Sequence, residues 1–261
     1  MTIAWQADTA SLIGDRAEQQ DRSLILTLPE RPQDCLAVLA DGMGGREGGA
    51  LAAQAVIDTA EAMFSTHAAE DPQGFLQSLC REAHDTILDL GKRDGTRPAS
   101  TCVVLYLRGD EAYWIHVGDS RLYHFSGETL LSQTRDHTVG ELRRHHAEQT
   151  AMLDTEQDHR LYTCLGTENT LHPELAACAV GANDWFLLSS DGFWQHVGTE
   201  EIARHVMDAG NPEERADHLA NIATKRAGAG SDNTSLIILT QGETQPVGWR
   251  RFLPQRLRNT R

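Results

Sequence analysis

Several things are scarce in this chain, and each scarcity excludes a class. Lysine and arginine number 23 against 38 aspartates and glutamates, a formal charge of −15 over 261 residues. Phosphate backbones call for a basic face, so this balance argues against a nucleic-acid binder. No apolar run approaches the length of a membrane span. The opening residues MTIAWQADTA hold no basic stretch followed by an apolar core, so no signal peptide is expected. Cysteine is sparse and scattered. Cys35, Cys80, Cys102, Cys164 and Cys178 are odd in number, far apart and without a CxxC pair. That pattern predicts buried, reduced thiols in a cytoplasmic protein. Repeats, low-complexity tracts and long linkers are also missing, and the length is sufficient to bury a full core.

What is present reads as strands and helices in an uneven order. Residues 23–41 read as two strands joined by a turn at Pro29–Pro32. A helix follows over roughly Ala50 to His67, with Val56, Ala60 and Met63 on one face. Asp71-Pro72 predicts an N-cap with proline at the first helical position, opening a helix that carries Leu76, Leu79, Ala83, Ile87 and Leu90. From Thr101 onward, TCVVLYL, AYWIHV, RLYHF and TLLS read as an antiparallel meander with short turns. Residues 134–160 are polar and predict a surface helix and loop. LYTCLG, ELAACAV and DWFLLSS read as strands, Thr199 and Asn211-Pro212 start two further helices, and TSLIILT is a last strand. Hairpins dominate, which predicts antiparallel sheets with helices packed outside them, an α+β class and not a doubly wound parallel sheet.

Five aspartates stand beside small or polar neighbours near the ends of such segments: Asp21, Asp41, Asp119, Asp191 and Asp232. Taken singly, an Asp-Gly or Asp-Ser is a turn residue. As a set with small flanks (ADGMGG, VGDSR, SDGFW, SDNTS), they suit a hard divalent cation held by oxygen. The glycine-rich stretch GMGGREGG lacks the lysine of a phosphate loop and the spacing of a dinucleotide fingerprint. Its glycines fit a tight path beside an ion at Asp41 better than a nucleotide.

GDRAEQQD, LADGMGGREGG, ASTCVV, IHVGDSRLYHF, TRDHTVGEL, LLSSDGFW and GSDNTSLIIL occur in the order of the motifs of the metal-dependent protein phosphatases, the PPM or type 2C serine/threonine phosphatases. The match runs from about Ser11 to Thr240 and resembles the compact bacterial form. It implies an α-β-β-α sandwich, with a catalytic domain over 1–241 and a basic tail over 242–261. It implies hydrolysis of phosphoserine and phosphothreonine by attack of a water bridging two Mn2+ or Mg2+ ions, with a weaker third ion beside them. By position, Asp41 resembles the bridging carboxylate. Asp191 and Asp232 resemble ligands of the first metal, and the Gly42 carbonyl a ligand of the second. Asp119 with Asp191 resembles the third-metal site. Arg16 matches the arginine that grips phosphate, and Asp21 the acid that orients metal-bound water.

Three positions depart from the family pattern. Gln20 and Gln195 stand where acids are frequent, which weakens the expected pull on the second and third ions. They are the support for an alternative reading, a catalytically weak domain of the same fold that binds phosphoproteins without turnover. Met43 stands where a histidine proton donor sometimes follows the Asp-Gly motif, which leaves leaving-group protonation to water. His137 is expected to make a structural hydrogen bond. Arg143, Arg144, His145 and His146 fall where the family has a flap, and are read either as a solvated helix face or as a basic patch for acidic phosphopeptides. The partners implied are phosphorylated proteins and a cognate Ser/Thr kinase. The SDGFW segment faintly resembles the group that serves type VI secretion.

Overall fold

Alternation of apolar side chains along the strands produces a double sandwich. The computed structural model describes residues 4–28, 31–43, 48–67, 71–145, 158–208 and 214–242. Strand β3 (Arg31–Met43) lies between β2 (Asp21–Leu28) and β5 (Cys102–Arg108). Its Leu36, Val38 and Ala40 face an outer layer made by α1 (Gly48–His67) and α2 (Pro72–Asp94), while Cys35, Ala37 and Leu39 face inward. Strand β5 alternates likewise, with Val104 and Tyr106 outward and Val103 and Leu105 inward. A nearly unbroken apolar run whose alternate side chains enter two different cores marks a strand covered on both sides. Each fully buried leucine there contributes about 1.5–3 kcal/mol.

The second half of the chain repeats this logic. Strand β11 (Thr234–Gly242) sends Leu236 and Ile238 toward α5 (Thr199–Asp208) and α6 (Arg215–Ala227), and Ile237 and Leu239 into the layer between the sheets. One sheet has the order β1-β11-β10-β7-β8, with β1 at Ala4–Leu12, β7 at Arg121–Ser126, β8 at Thr129–Gln133 and β10 at Asp184–Ser189. The other runs β2-β3-β5-β6-β9, with β6 at Glu111–Val117 and β9 at Glu174–Ala179, and the short β4 (Ala99–Ser100) pairs with β3. The paired strands are antiparallel. The result is the expected α-β-β-α sandwich.

Helix α2 begins as the sequence predicts. Asp71 caps it by accepting from the Gly74 N–H, Pro72 opens it, and Gly95 closes it with φ +66°. Three expectations needed revision. Residues 161–166 form no strand. Leu165 exchanges backbone hydrogen bonds with Ser100, Leu161 bridges Thr138, and Gly166 turns the chain away at φ +82°. Strand β1 was not foreseen, because AWQADTASL alternates weakly and buries only Ala10 fully, yet it pairs with β11 along its whole length. A single helical turn, α4 (Asp191–Trp194), was also missed. Of the polar segment 134–160, the helical part is α3 (Val139–His145), and residues 146–157, with His146, lie outside the described residues. So do Asn211, Pro212 and the chain after Gly242. Among the described residues, no helix is long and apolar enough to cross a membrane.

Candidate metal centre

Antiparallel pairing gathers the aspartates. Asp21, opening β2, sits in register with Asp41 near the end of β3. Asp119 follows β6, Asp191 follows β10, and Asp232 precedes β11. All five therefore reach one end of the sandwich. Asp41, Asp119, Asp191 and Asp232 line an open pocket of about 420 Å3 together with Arg16, Gln20, Gly42, Met43, Asn233, His159, Arg160 and Leu161. Asp21 lies behind this surface, buried, with Oδ2 accepting from Ser190 Oγ at 2.8 Å and Oδ1 without a hydrogen-bond partner among the described residues.

Backbone chemistry fixes the carboxylates in place. The Asp41 N–H donates to Thr101 Oγ1 at 3.0 Å, its carbonyl accepts from Thr101 N–H and Ser100 Oγ, and Thr101 Oγ1 meets Ser120 Oγ at 2.7 Å. Gly42 must lack a side chain. A Cβ there would lie 2.0 Å from the Gly49 carbonyl, so the Asp-Gly end of β3 and the glycines opening α1 are packed backbone to backbone. Asn233 ties the Arg16 loop to β11. Its Oδ1 accepts from Gln20 N–H at 2.8 Å and its amide donates to the carbonyls of Ile13 and Glu18. Gln195 donates to Asp191 Oδ2 at 3.1 Å.

The cluster is electrostatically strained in the way a cation would relieve. Burial first, then the charges of Asp21, Asp191, Asp119 and Asp232, raises Asp41 well above the usual carboxylate range. Burial, opposed by the Ser190 hydrogen bond and reinforced by Asp191 and Asp232, carries Asp21 to about 7. Burial and the neighbouring Asp191 carry Asp119 to about 7 as well. Asp191 is raised by burial and by Asp232, and it shares a hydrogen bond with Asp41. Protons on such groups are displaced by a dication, and the donors here are carboxylate and carbonyl oxygens, the set preferred by Mg2+ and Mn2+. Arg16 lays its fork on Asp232, with Nε at 2.8 Å and Nη2 at 2.6 Å from the two oxygens. Its guanidinium is thereby held still more firmly protonated.

Several contributors were not foreseen. Trp194 Nε1 donates to the Asp119 carbonyl at 2.9 Å, and Arg121 lies 3.4 Å over the Trp194 ring while its fork holds Asp136 at 2.7 and 2.8 Å. His159 and Arg160, just before Leu161, also line the pocket. Nothing in their local pattern distinguishes them from surface residues. The basic side chains that were singled out are instead turned to acids nearby. Arg144 and His145 pair with Glu141, Arg143 pairs with Asp158, and none of the three lines the pocket.

Behind the Asp119 turn, His116, His137 and Glu174 place ligand-type atoms within 4.8 Å of one another. His137 Nδ1 accepts the Gly118 N–H at 3.2 Å, so in the neutral ring the proton sits on Nε2, 3.7 Å from Glu174 Oε1. A protonated nitrogen does not ligate an ion, and the arrangement acts as a brace for Gly118. Burial, with His116 stacked 4.5 Å away, keeps His137 neutral by lowering it to about 3.

The protein phosphatase 2C family model matches residues 10–223. The chain is 26% identical over 217 residues to protein phosphatase PhpP of Streptococcus pneumoniae, covering 80% of this chain and 86% of that protein. Among solved structures, PppA, described as a key regulatory component of the type VI secretion system in Pseudomonas aeruginosa, superposes with a TM-score of 0.76 at 26% identity, covering 92% of this chain and 99% of the other. The catalytic domain of the serine/threonine protein phosphatase PstP, solved with two manganese ions, has the same fold, with a TM-score of 0.76 at 24% identity and the same coverage.

Proposed function

Because the chain belongs to the protein phosphatase 2C family, we propose that it removes phosphate from phosphoserine and phosphothreonine in proteins, using Mn2+ or Mg2+ held by the carboxylate cluster. The observation that carries this reading is the pocket itself, where Asp41, Asp119, Asp191 and Asp232 converge beside Arg16. Asp41, Asp191, Asp232 and the Gly42 carbonyl would hold two ions, with Asp119 and Asp191 serving a weaker third. When bound, such ions neutralise the carboxylates, polarise the phosphoryl group and acidify the attacking water.

The chain's own residues then have distinct tasks. Asp21 keeps Oδ2 on Ser190 and leaves Oδ1 free to take a hydrogen bond from water. Arg16 offers two parallel N–H groups, now on Asp232, that match two phosphate oxygens as a lysine could not. Arg160, on the pocket wall, adds a second positive charge for an anionic substrate. Asn233 keeps the Arg16 loop against β11, so that grip and ligands move together.

We take residues 1–241 as the catalytic domain and 242–261 as a basic tail, with phosphorylated cytoplasmic proteins as substrates. A Ser/Thr kinase acting on the same proteins is the expected counterpart. Type VI secretion is the setting suggested by likeness to PppA. The test is hydrolysis of p-nitrophenyl phosphate. Activity should require added Mn2+ and vanish with chelator, and full activity in chelator would overturn the reading.

A further inference from the structure

A second cluster lies away from the pocket, at the seam between the sheets. His124, on β7, is buried and stacked on Phe186 with ring centroids 4.5 Å apart and planes at 15°. Its Nε2 meets Asp184 Oδ2 at 2.8 Å. Asp184, on β10, is also buried and takes the Gly181 N–H at 2.8 Å on the same oxygen. Despite its burial, these hydrogen bonds, with one from Ser126, hold Asp184 below the usual range, so it is a carboxylate. A carboxylate accepts, so His124 Nε2 carries a proton, and in the neutral ring Nδ1 presents a lone pair. That lone pair faces Cys178 Sγ, 3.6 Å away on β9 of the opposite sheet. The hydrogen-bond directions run in one sense: thiol to imidazole, imidazole to carboxylate.

We propose that Cys178, His124 and Asp184 form a base-assisted thiol, a modification site for hydroperoxides and similar small electrophiles. The order nucleophile, base, orienting acid is what converts a resting thiol into an attacking one. Burial and the Asp184 charge keep the sulfur protonated at rest, so the proton has to leave as the new bond forms. With a hydroperoxide, Sγ attacks the terminal oxygen, the S–O bond forms and the O–O bond breaks. The thiol proton passes to His124 Nδ1 and then to the departing alkoxide. The products are a sulfenic acid and an alcohol, with sulfur oxidised by two electrons and the peroxide reduced. Cys178 is half-buried on an edge strand, so it is not sealed in the core as the other strand cysteines are. Cys35, Cys80 and Cys102 are buried, with Cys35 and Cys80 pushed up to about 12 and Cys102 also well above the usual thiol range.

The test is iodoacetamide labelling of the native full chain, read residue by residue by peptide mass spectrometry. Cys178 should label ahead of Cys164, the other half-buried thiol. In His124→Gln and in Asp184→Asn the Cys178 rate should fall by about a hundredfold or more, the lower end of what general-base assistance supplies. Neither residue lines the phosphatase pocket, so an unchanged aryl phosphatase rate in both variants certifies the fold. Prior hydrogen peroxide should block labelling at Cys178 and add one oxygen that a thiol reductant removes. Labelling of Cys178 no faster than Cys164, or equal rates in both variants and the parent, would overturn the base-assisted thiol. Peroxide that leaves Cys178 open to iodoacetamide would overturn hydroperoxides as its electrophiles.

Discussion

At the scale of single residues, the pocket's chemistry depends on which oxygen each aspartate offers. Asp191 touches several partners at once, sharing a hydrogen bond with Asp41 and taking one from Gln195. Asp191→Asn replaces a charged ligand by a neutral amide and should cut kcat by about a hundredfold or more, since groups one shell further out already cost 10–100-fold. Arg16→Ala should mainly raise KM. A charge-assisted bidentate contact contributes about 1.5–3 kcal/mol, or roughly 10- to 100-fold. Arg16→Lys should recover only part of it, and steady-state kinetics on an aryl phosphate decides both. Gln20 lines the same pocket with a neutral amide. Gln20→Glu should lower the Mn2+ concentration for half-maximal rate, and coincident titration curves would place Gln20 outside the ions' field.

At the scale of elements, strand ends aim the site, and a strap holds one of them. Trp194, in the single turn α4, grips the Asp119 carbonyl while Arg121 covers its ring and is itself held by Asp136. Trp194→Phe keeps the ring and removes the N–H. Activity at limiting Mn2+ should fall about tenfold, one lost hydrogen bond of ~1.4 kcal/mol, and should partly recover at saturation. An equal loss at both concentrations would assign the strap to the fold instead. Much of this level was legible in sequence. The apolar runs ending in Asp-Gly, Gly-Asp-Ser and Ser-Asp declared themselves because burial on both faces leaves a nearly unbroken apolar stretch that a small, polar turn then ends. Strand β1 escaped because its partner β11 supplies the apolar side of the pairing. Residues 161–166 misled because an apolar run can be buried as a loop when its backbone bonds to other loops, as Leu165 does to Ser100. Arg160 and His159 were invisible, since nothing in their local sequence separates a pocket-lining residue from a surface one. Arg143 and Arg144 stood out by charge alone, which says nothing of the acids that meet them in the fold.

At the scale of the whole molecule, an acidic chain gathers carboxylates where they repel one another. Asp21 and Asp119 have pKa values of about 7 in the folded chain against an ordinary 3.8. Between about pH 4 and pH 7 the folded chain therefore holds protons that the unfolded chain has released, and stability from these groups is lost as pH rises through that window. The melting temperature of metal-free protein should fall between about pH 4 and pH 7, and Asp119→Asn should flatten the fall. Mn2+ should raise it more at the higher pH, where no proton competes for the carboxylates. A metal-free melting temperature that climbs across the window would show that the cluster is not strained in this way.

The most direct measurement is phosphate release from a phosphothreonine peptide by protein stripped with chelator, before and after Mn2+ is restored, with Asp191→Asn alongside. The stripped protein should release none, release should recover on adding Mn2+, and the variant should release little or none at any Mn2+ concentration. Release that persists in chelator, or a variant as active as the parent, would contradict metal-dependent hydrolysis at this cluster.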